Sequence, residues 1–390
     1  MYRQILNKES FMPPLPSALA CCQTPDLILD EARMQRNIAR LRTRLAPFGV
    51  TLRPHVKTAK SIDVARQLLA EGNGPATVST LKEAEALFAA GVRDILYAVG
   101  IAPHRLGRVQ ALRARGCDLS IVLDSPEQAQ AVVAACSAGP IPVLLEIDCD
   151  GHRAGLMPDD AQIVAIGRML VEGGGALRGV MTHAGDSYNA RGTAQLEACA
   201  EQERQAVVTA AQLLRASGLP CPVVSLGSTP TAHYARNLDG VTEVRAGVFT
   251  FFDLVMAGIG VCTLDDIALS VLTTVIGHQQ DKGWVLCDAG WMALSRDRGT
   301  QGQAVDQGYG LVCDVDGRPY ADLIVTAANQ EHGIIALRDG AAGLLPDLPV
   351  GTLLRILPNH ACATGAQFDA YTVIRAHDGA LATWPRFRGW

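Results

Sequence analysis

Short apolar runs alternate with helix-period patterns from residue 25 to about residue 250. The run Asp26-Leu27-Ile28-Leu29-Asp30 is followed by Met34, Ile38, Leu41 and Leu45, which fall on one face of a helix. Further strands are predicted at 50–54, 76–79, 94–99, 119–123, 143–147, 179–183, 223–226 and 243–246. Helices are predicted between them, among them 61–72, 103–115 and 193–217. Two helix starts are marked by side chains. Thr80 with Glu83 reads as a capping box, and Ser125-Pro126-Glu127-Gln128 supplies a cap, a proline at the first helical position and a glutamine at N3.

About eight such βα repeats, with strands apolar on both faces, predict a parallel sheet covered by helices on the outside. A (β/α)8 TIM barrel over 25–258 fits this pattern better than an open sheet. After about residue 258 the texture changes. Short β-like runs at 267–276, 284–288, 311–314, 323–327, 333–337, 353–357 and 371–374 are separated by Gly, Asp and Pro turns. An all-β domain is predicted over 259–390, with residues 1–24 joining it.

Composition narrows the function classes. A hydrophobic fraction of 48% over 390 residues supplies core for two domains. With a net charge of -5 and no basic run or basic-aromatic patch, no nucleic acid is expected as a partner. No apolar window is long enough for a membrane span, so no membrane is expected either. The first ten residues lack the apolar stretch of a signal peptide, which favours the cytoplasm. The 11 cysteines are scattered, without a CxxC pair. All but Cys362 read as reduced thiols acting as small apolar residues.

Candidate chemistry collects at predicted strand ends. Lys57 follows Arg53-Pro54-His55-Val56 and carries an amine able to form an imine. Such an amine must lose its proton, and Arg53, His55 and Lys60 are the nearby groups expected to favour that. Lys60 is a competing candidate. Gly227-Ser228-Thr229-Pro230-Thr231 and Arg245-Ala246-Gly247-Val248 read as phosphate-binding backbone or as ordinary turns. Asp148–Gly155, containing Arg153, is a polar strand end that either pairs with a ligand or forms a solvated loop. His183 and Tyr188 follow another strand; packing and function both fit them. Far downstream, His360-Ala361-Cys362 places an imidazole and a thiol on one side if the segment is a strand, where they could share a metal. Softness favours zinc over magnesium. Asn329-Gln330-Glu331-His332-Gly333 is a candidate source of an outer partner.

Read together, Arg-Pro-His-Val-Lys-Thr at 53–58 and Pro-Asn-His-Ala-Cys at 358–362 resemble the signature segments of fold-type III pyridoxal phosphate (PLP) enzymes. The family is that of the D-serine dehydratases and D-threonine aldolases, and the resemblance runs over nearly the whole chain. The run 359–368 looks most like the dehydratases acting on D-threo-3-hydroxyaspartate. The resemblance implies an alanine-racemase-like fold and a homodimer. It implies Lys57 as the lysine carrying PLP, and His360 and Cys362 as ligands of a divalent metal, with Zn, Mn, Mg and Co open. It places Arg153 near the phenolic oxygen of the cofactor, Arg245 facing the pyridine nitrogen, and Tyr188 and His183 along the pocket. Gly227, Ser228, Thr229, Gly247 and Val248 match the phosphate cup. The implied activity is loss of water from a D-3-hydroxy amino acid: D-threo-3-hydroxyaspartate to oxaloacetate and ammonia, or D-serine. The alternative is a D-threonine aldolase cleaving to glycine and an aldehyde. Aldolases of the family commonly carry aspartate where Cys362 stands, so the cysteine points to dehydration. No tyrosine occurs between Tyr234 and Tyr309, where a racemase places its second base. For the second carboxylate of the substrate, His104, Arg105 and Arg191 are candidates.

Overall fold

The structure, a computed structural model, describes residues 18–390. Strand β1 (Asp26–Asp30) precedes the eight strands β2 (Thr51–Leu52), β3 (Ala76–Val78), β4 (Asp94–Gly100), β5 (Asp118–Leu123), β6 (Pro142–Ile147), β7 (Ala176–Thr182), β8 (Val223–Leu226) and β9 (Glu243–Val244). These eight form one parallel sheet in the order β2-β9-β8-β7-β6-β5-β4-β3. Its two edges meet. A parallel bridge joins His55 to Thr77, the Val56 N–H donates to Thr77 O at 2.9 Å, and the Thr77 N–H donates to Pro54 O at 2.8 Å. The sheet therefore closes into a barrel, as the repeat pattern predicts.

The barrel interior is layered. Arg53 lies near the strand starts, where it donates to Glu243 at 2.8 Å and to Asp94 at 2.8 and 3.0 Å. Leu96, Val122, Leu144 and Met181, one from each of four successive strands, form an apolar plug above it. Side chains one position away, such as Ile95, Ile121, Val143 and Val180, belong instead to the main core cluster. This is the period-2 alternation of a strand covered on both faces.

Helices fill the predicted slots, with shorter bounds. The long one is Gly192–Ala216, the one predicted at 61–72 is Ile62–Leu68, and the one at 103–115 is a 3-10 turn followed by Leu106–Ala114. Ser125 and Gln128 form a complete capping box. At Thr80 only half the box is present: its side chain accepts from the Glu83 N–H, while the Glu83 carboxylate turns to the Ser79 N–H and Oγ.

Eight more strands follow: β10 (Leu269–Gln279), β11 (Trp284–Cys287), β12 (Leu311–Cys313), β13 (Pro319–Ala328), β14 (Gly333–Leu337), β15 (Leu353–Leu357), β16 (Ala370–Ile374) and β17 (Leu381–Pro385). With β1 they make a nine-stranded sheet ordered β11-β14-β13-β12-β15-β10-β1-β16-β17. The boundary expected at residue 25 therefore needs correction at one strand. β1 pairs antiparallel with β10 and parallel with β16, and only the helix after it, Glu31–Leu45, joins the barrel. A central strand of a mostly antiparallel sheet is as apolar as a barrel strand, so the run 26–30 reads the same in both. Residues 18–24 pack on this sheet: Leu19 clusters with Ile28 and Leu272, and the Thr24 hydroxyl bonds Thr274 Oγ1 and Asp288. Residues 1–17, also expected there, lie outside the described residues. Among the described residues no helix is long and apolar enough to cross a membrane.

Two seams fasten the β domain to the rim of the barrel. Tyr371 Oη donates to Ala59 O at 2.6 Å, and the Phe387 N–H donates to Lys60 O at 2.7 Å. The Leu254 and Val255 N–H groups donate to Pro358 O and Asn359 O, and Asp253 accepts from the Ala361 N–H at 3.0 Å. The loop after β2 and the segment before Cys362 thus share one wall.

The Arg53 layer generates a stability prediction. Arg53→Met leaves Glu243, itself buried, without its cation. Losing one partner of a buried pair costs about 3–5 kcal/mol. Urea unfolding of the variant should show this loss, and an unchanged midpoint would contradict the reading.

Candidate active site

Twelve of the site residues singled out in the sequence line one cavity of about 580 Å³ at the C-terminal ends of the barrel strands. They are Lys57, Arg153, His183, Tyr188, Gly227, Ser228, Thr229, Arg245, Gly247, Val248, His360 and Cys362. Lys57 is not at the end of a regular strand, since β2 stops at Leu52. It sits in the turn just past the His55 bridge, with its amide donating to His55 Nδ1 at 3.4 Å.

The field around Lys57 differs from expectation. Arg53 is neutralised at the other end of the barrel, and Lys60 pairs with Glu83 at 3.1 Å. His55 is half-buried, and desolvation, then the charges of Lys57 and Arg245, holds its pKa well below the usual imidazole range. It is therefore neutral. Arg245, 3% exposed, is the fixed positive charge of the site, its guanidinium donating to Ser225 Oγ and Thr182 O at 2.5 Å each. His183 is likewise neutral: burial, then the charge of Lys57, lowers its pKa to about 3, and Nδ1 bonds Gly227 O at 2.8 Å. Burial, with the negative charges of Cys362 and Asp253, raises the Tyr188 phenol, so it keeps its proton.

The phosphate-cup candidates form a cradle. Gly227 has φ +137°, and a Cβ there would run into Arg245 O. At Gly247 a Cβ would lie 3.0 Å from His55 O. Ser228 and Thr231 make a reciprocal cap, and Ser187 Oγ lies 2.9 Å from Ser228 Oγ. Among the described residues the N–H groups of Thr229, Gly247 and Val248 have no protein acceptor. Three free amides beside two glycines fit a phosphate.

His360 and Cys362 meet differently from the prediction. The segment is not a strand: His360 is the N-cap of the short helix Ala361–Gly365. A helical turn still brings the imidazole and thiol together, through a side-chain hydrogen bond. The His360 Nδ1–H donates to Asp297 Oδ2 at 2.7 Å, and Cys362 Sγ lies 3.2 Å from Thr58 Oγ1, beside Lys57. Burial lowers the His360 pKa, but the charge of Cys362 and the bond to Asp297 outweigh it and raise it to about 11. Burial raises the Cys362 thiol, but His360, Lys57 and Thr58 outweigh that and lower it. A soft thiolate and an imidazole with its remote nitrogen held fit a divalent metal with open positions. Among the described residues no group of three or more His, Cys, Asp or Glu is arranged as a metal site, so other ligands would be water or substrate. The segment 329–333 does not reach the cavity; the outer partner is Asp297 instead.

Four contributors escaped sequence reasoning. Asp297, Asp253 and Glu203 lie in segments without a motif, and His152 was seen only as part of a polar cluster. Glu203 is fully buried and accepts from the N–H groups of Ala184 and Gly227 at 2.8 and 3.0 Å, joining the ends of β7 and β8.

Two family models match the chain. One, the N-terminal domain of alanine racemase, covers residues 29–255, and the other, a serine dehydratase domain, covers 268–374. The chain thus belongs to the alanine racemase N-terminal domain family, in a form that also carries the serine dehydratase domain. It is similar to D-threo-3-hydroxyaspartate dehydratase of Delftia sp. (strain HT23), at 58% identity over 96% of this chain and 100% of that protein. It is more distantly similar to D-threonine aldolase of Arthrobacter sp, at 28% identity over 98% of this chain and 97% of that protein. Among solved structures, a metal-free form of a cysteine-to-alanine variant of D-threo-3-hydroxyaspartate dehydratase superposes with TM-score 0.92. That match has 57% identity and covers 95% of this chain and 99% of that one.

Glu203 generates a pH prediction. Burial raises its pKa to about 7 from 4.5, against the opposing hydrogen bonds of Thr231, Ala184 and Gly227. Between those values the folded chain holds a proton that the unfolded chain has lost, so stability falls as pH rises through the window. In Glu203→Gln that decline should shrink by roughly 3 kcal/mol between about pH 5 and about pH 8, read from urea midpoints. Identical pH profiles for the two proteins would contradict it.

Proposed function

We propose that the chain is a PLP- and divalent-metal-dependent lyase that removes water from D-threo-3-hydroxyaspartate, releasing oxaloacetate and ammonia. The observation that carries this reading is the single cavity holding Lys57, a cradle for phosphate and the His360–Cys362 pair. The similarity to a protein named for that reaction supports it. When bound, PLP would supply an electron sink at Cα and a divalent cation would supply a Lewis acid near the β-oxygen.

The residues of the chain divide the remaining work. Lys57 carries the cofactor and then serves as the base at Cα, on its own side of the ring. Arg245 would present a fixed positive charge to the ring nitrogen. Arg153 would pair with the phenolic oxygen. Gly227, Ser228, Thr229, Gly247 and Val248 cradle the phosphate, and the neutral His183 and Tyr188 line the pocket. His360 and Cys362 would hold the metal, zinc by donor softness. Loss of the Cα proton and the β-hydroxyl gives water. Hydrolysis of the product consumes one water and yields the keto acid and ammonia. The reading carries with it a homodimer, as the resemblance implies. Aldol cleavage is disfavoured by the thiol at Cys362.

The second carboxylate of the substrate is not met by the cations expected from sequence. Arg105 donates to Tyr97 Oη, Arg191 is spent on the carbonyls of Asn189, Ala190 and Gly302, and neither they nor His104 line the cavity. His152 and Arg153 do line it, and neither side chain has a hydrogen bond or ion pair among the described residues. Their loop is tethered: Asp148 accepts from the Asp150 and Gly151 N–H groups, and Asp150 accepts from the Asp186 N–H. With Arg153 taken by the cofactor, His152 is the donor left for the distal carboxylate.

Incubation with D-threo-3-hydroxyaspartate should release ammonia and oxaloacetate, and a chelator should abolish this turnover. Lys57→Ala should lose both activity and the visible imine band. Glycine from D-threonine without ammonia from any substrate would reject the dehydratase. In His152→Ala, kcat/KM for D-threo-3-hydroxyaspartate should fall about 10-fold or more relative to that for D-serine, the loss of one hydrogen bond to a charge. An unchanged ratio would remove His152 from substrate recognition.

A further inference from the structure

Three consecutive residues of the metal-binding segment are each held by a different partner. The Asn359 side chain is buried, with Nδ2 donating to Gly308 O at 2.7 Å and Oδ1 accepting from Thr300 Oγ1 at 2.5 Å. The Ala361 N–H is held by Asp253, which is 1% exposed and also caps the helix Leu254–Gly258 through the Met256 N–H. Between them, the backbone of residue 360 has little freedom. Its side chain still has one choice, namely which ring nitrogen carries the proton and which faces the cavity.

Asp297 makes that choice. It comes from the connector after the helix Trp291–Leu294, far from residue 360 in sequence, and its Oδ2 lies 2.7 Å from His360 Nδ1. A carboxylate accepts only, so Nδ1 must carry the proton. Nε2 is then left toward the Cys362 thiol and the cavity. The connector is itself anchored. Asp297 N–H donates to Ser295 Oγ at 3.1 Å, Arg298 pairs with Asp306 at 2.6 Å, and Thr300 bonds Asn359.

We propose that Asp297 is a positioning residue for the metal. It fixes the His360 tautomer and ring plane so that Nε2 is the ligating nitrogen, beside the Cys362 sulfur. The inference rests on the reading of His360 and Cys362 as metal ligands. It concerns Asp297 alone and assigns it no contact with substrate. Carboxylate partners of ligating histidines typically change metal affinity by 10–100-fold when removed.

The test is metal affinity of the purified holoprotein, measured with Zn²⁺ or Mn²⁺ alone against a chromogenic chelator. Asp297→Ala should bind the metal about 10–100-fold more weakly, with the visible cofactor band unchanged. Asp297→Asn keeps an acceptor oxygen for Nδ1–H and should recover part of that affinity. It also serves as the working variant if the alanine protein does not fold. A purely structural role for Asp297 would lower thermal stability in both variants without separating their affinities. Affinity within about twofold of the parent in both variants would overturn the proposal. If the parent protein itself binds neither metal, the ligand reading falls and this inference with it, an outcome visible before any variant is made.

Discussion

The parallel bridge between His55 and Thr77 is the contact on which the site depends. It is the backbone bridge that joins the first and last strands of the barrel row, and it lies two residues before Lys57. Closing the sheet there removes both of its edges. It also aims the chain so that Lys57 emerges over the barrel mouth rather than along its outside. The residues flanking His55 make the closing bonds, its own N–H donates to Ala246 O, and its ring accepts from the Lys57 N–H. The same residue thus supports the wall and keeps a second positive charge away from the amine.

Charge is distributed by depth. At the strand starts Arg53 is matched by Glu243 and Asp94. At the rim Arg245 is unmatched by any close carboxylate and is held by neutral acceptors. Around it two imidazoles and a phenol are kept uncharged by burial. A fixed cation held by neutral acceptors suits an anionic ligand. The His360–Cys362 pair lines the same cavity and arrives from the β domain.

That arrival depends on the seam between domains. Tyr371 and Phe387 hold the 59–60 backbone, while Asp253 and the Leu254 and Val255 amides hold 358–361. Both grip the barrel rim within a few residues of a functional side chain. The bond between Cys362 and Thr58 is the result, joining positions 304 residues apart. Neither domain holds the complete site alone.

Much of this was open to reading along the chain. The period of apolar positions determined the barrel, because a strand covered on both faces and a helix covered on one leave different repeats. The residue types at 53–58 and 358–362 marked side chains that the fold brings into one cavity, because imine-forming amines and soft metal donors are few. What periodicity left undecided were positions where two structures share one pattern. The run 26–30 is apolar in a barrel or in a central antiparallel strand, and three residues at 360–362 are too few to tell strand from helix. Tertiary structure alone decided the partners of the site: Asp297 on His360, Glu203 under Gly227, His152 at the mouth. Each is an ordinary polar residue in its own segment. Its role comes from proximity across long sequence separations, which only the closed barrel and the docked β domain create.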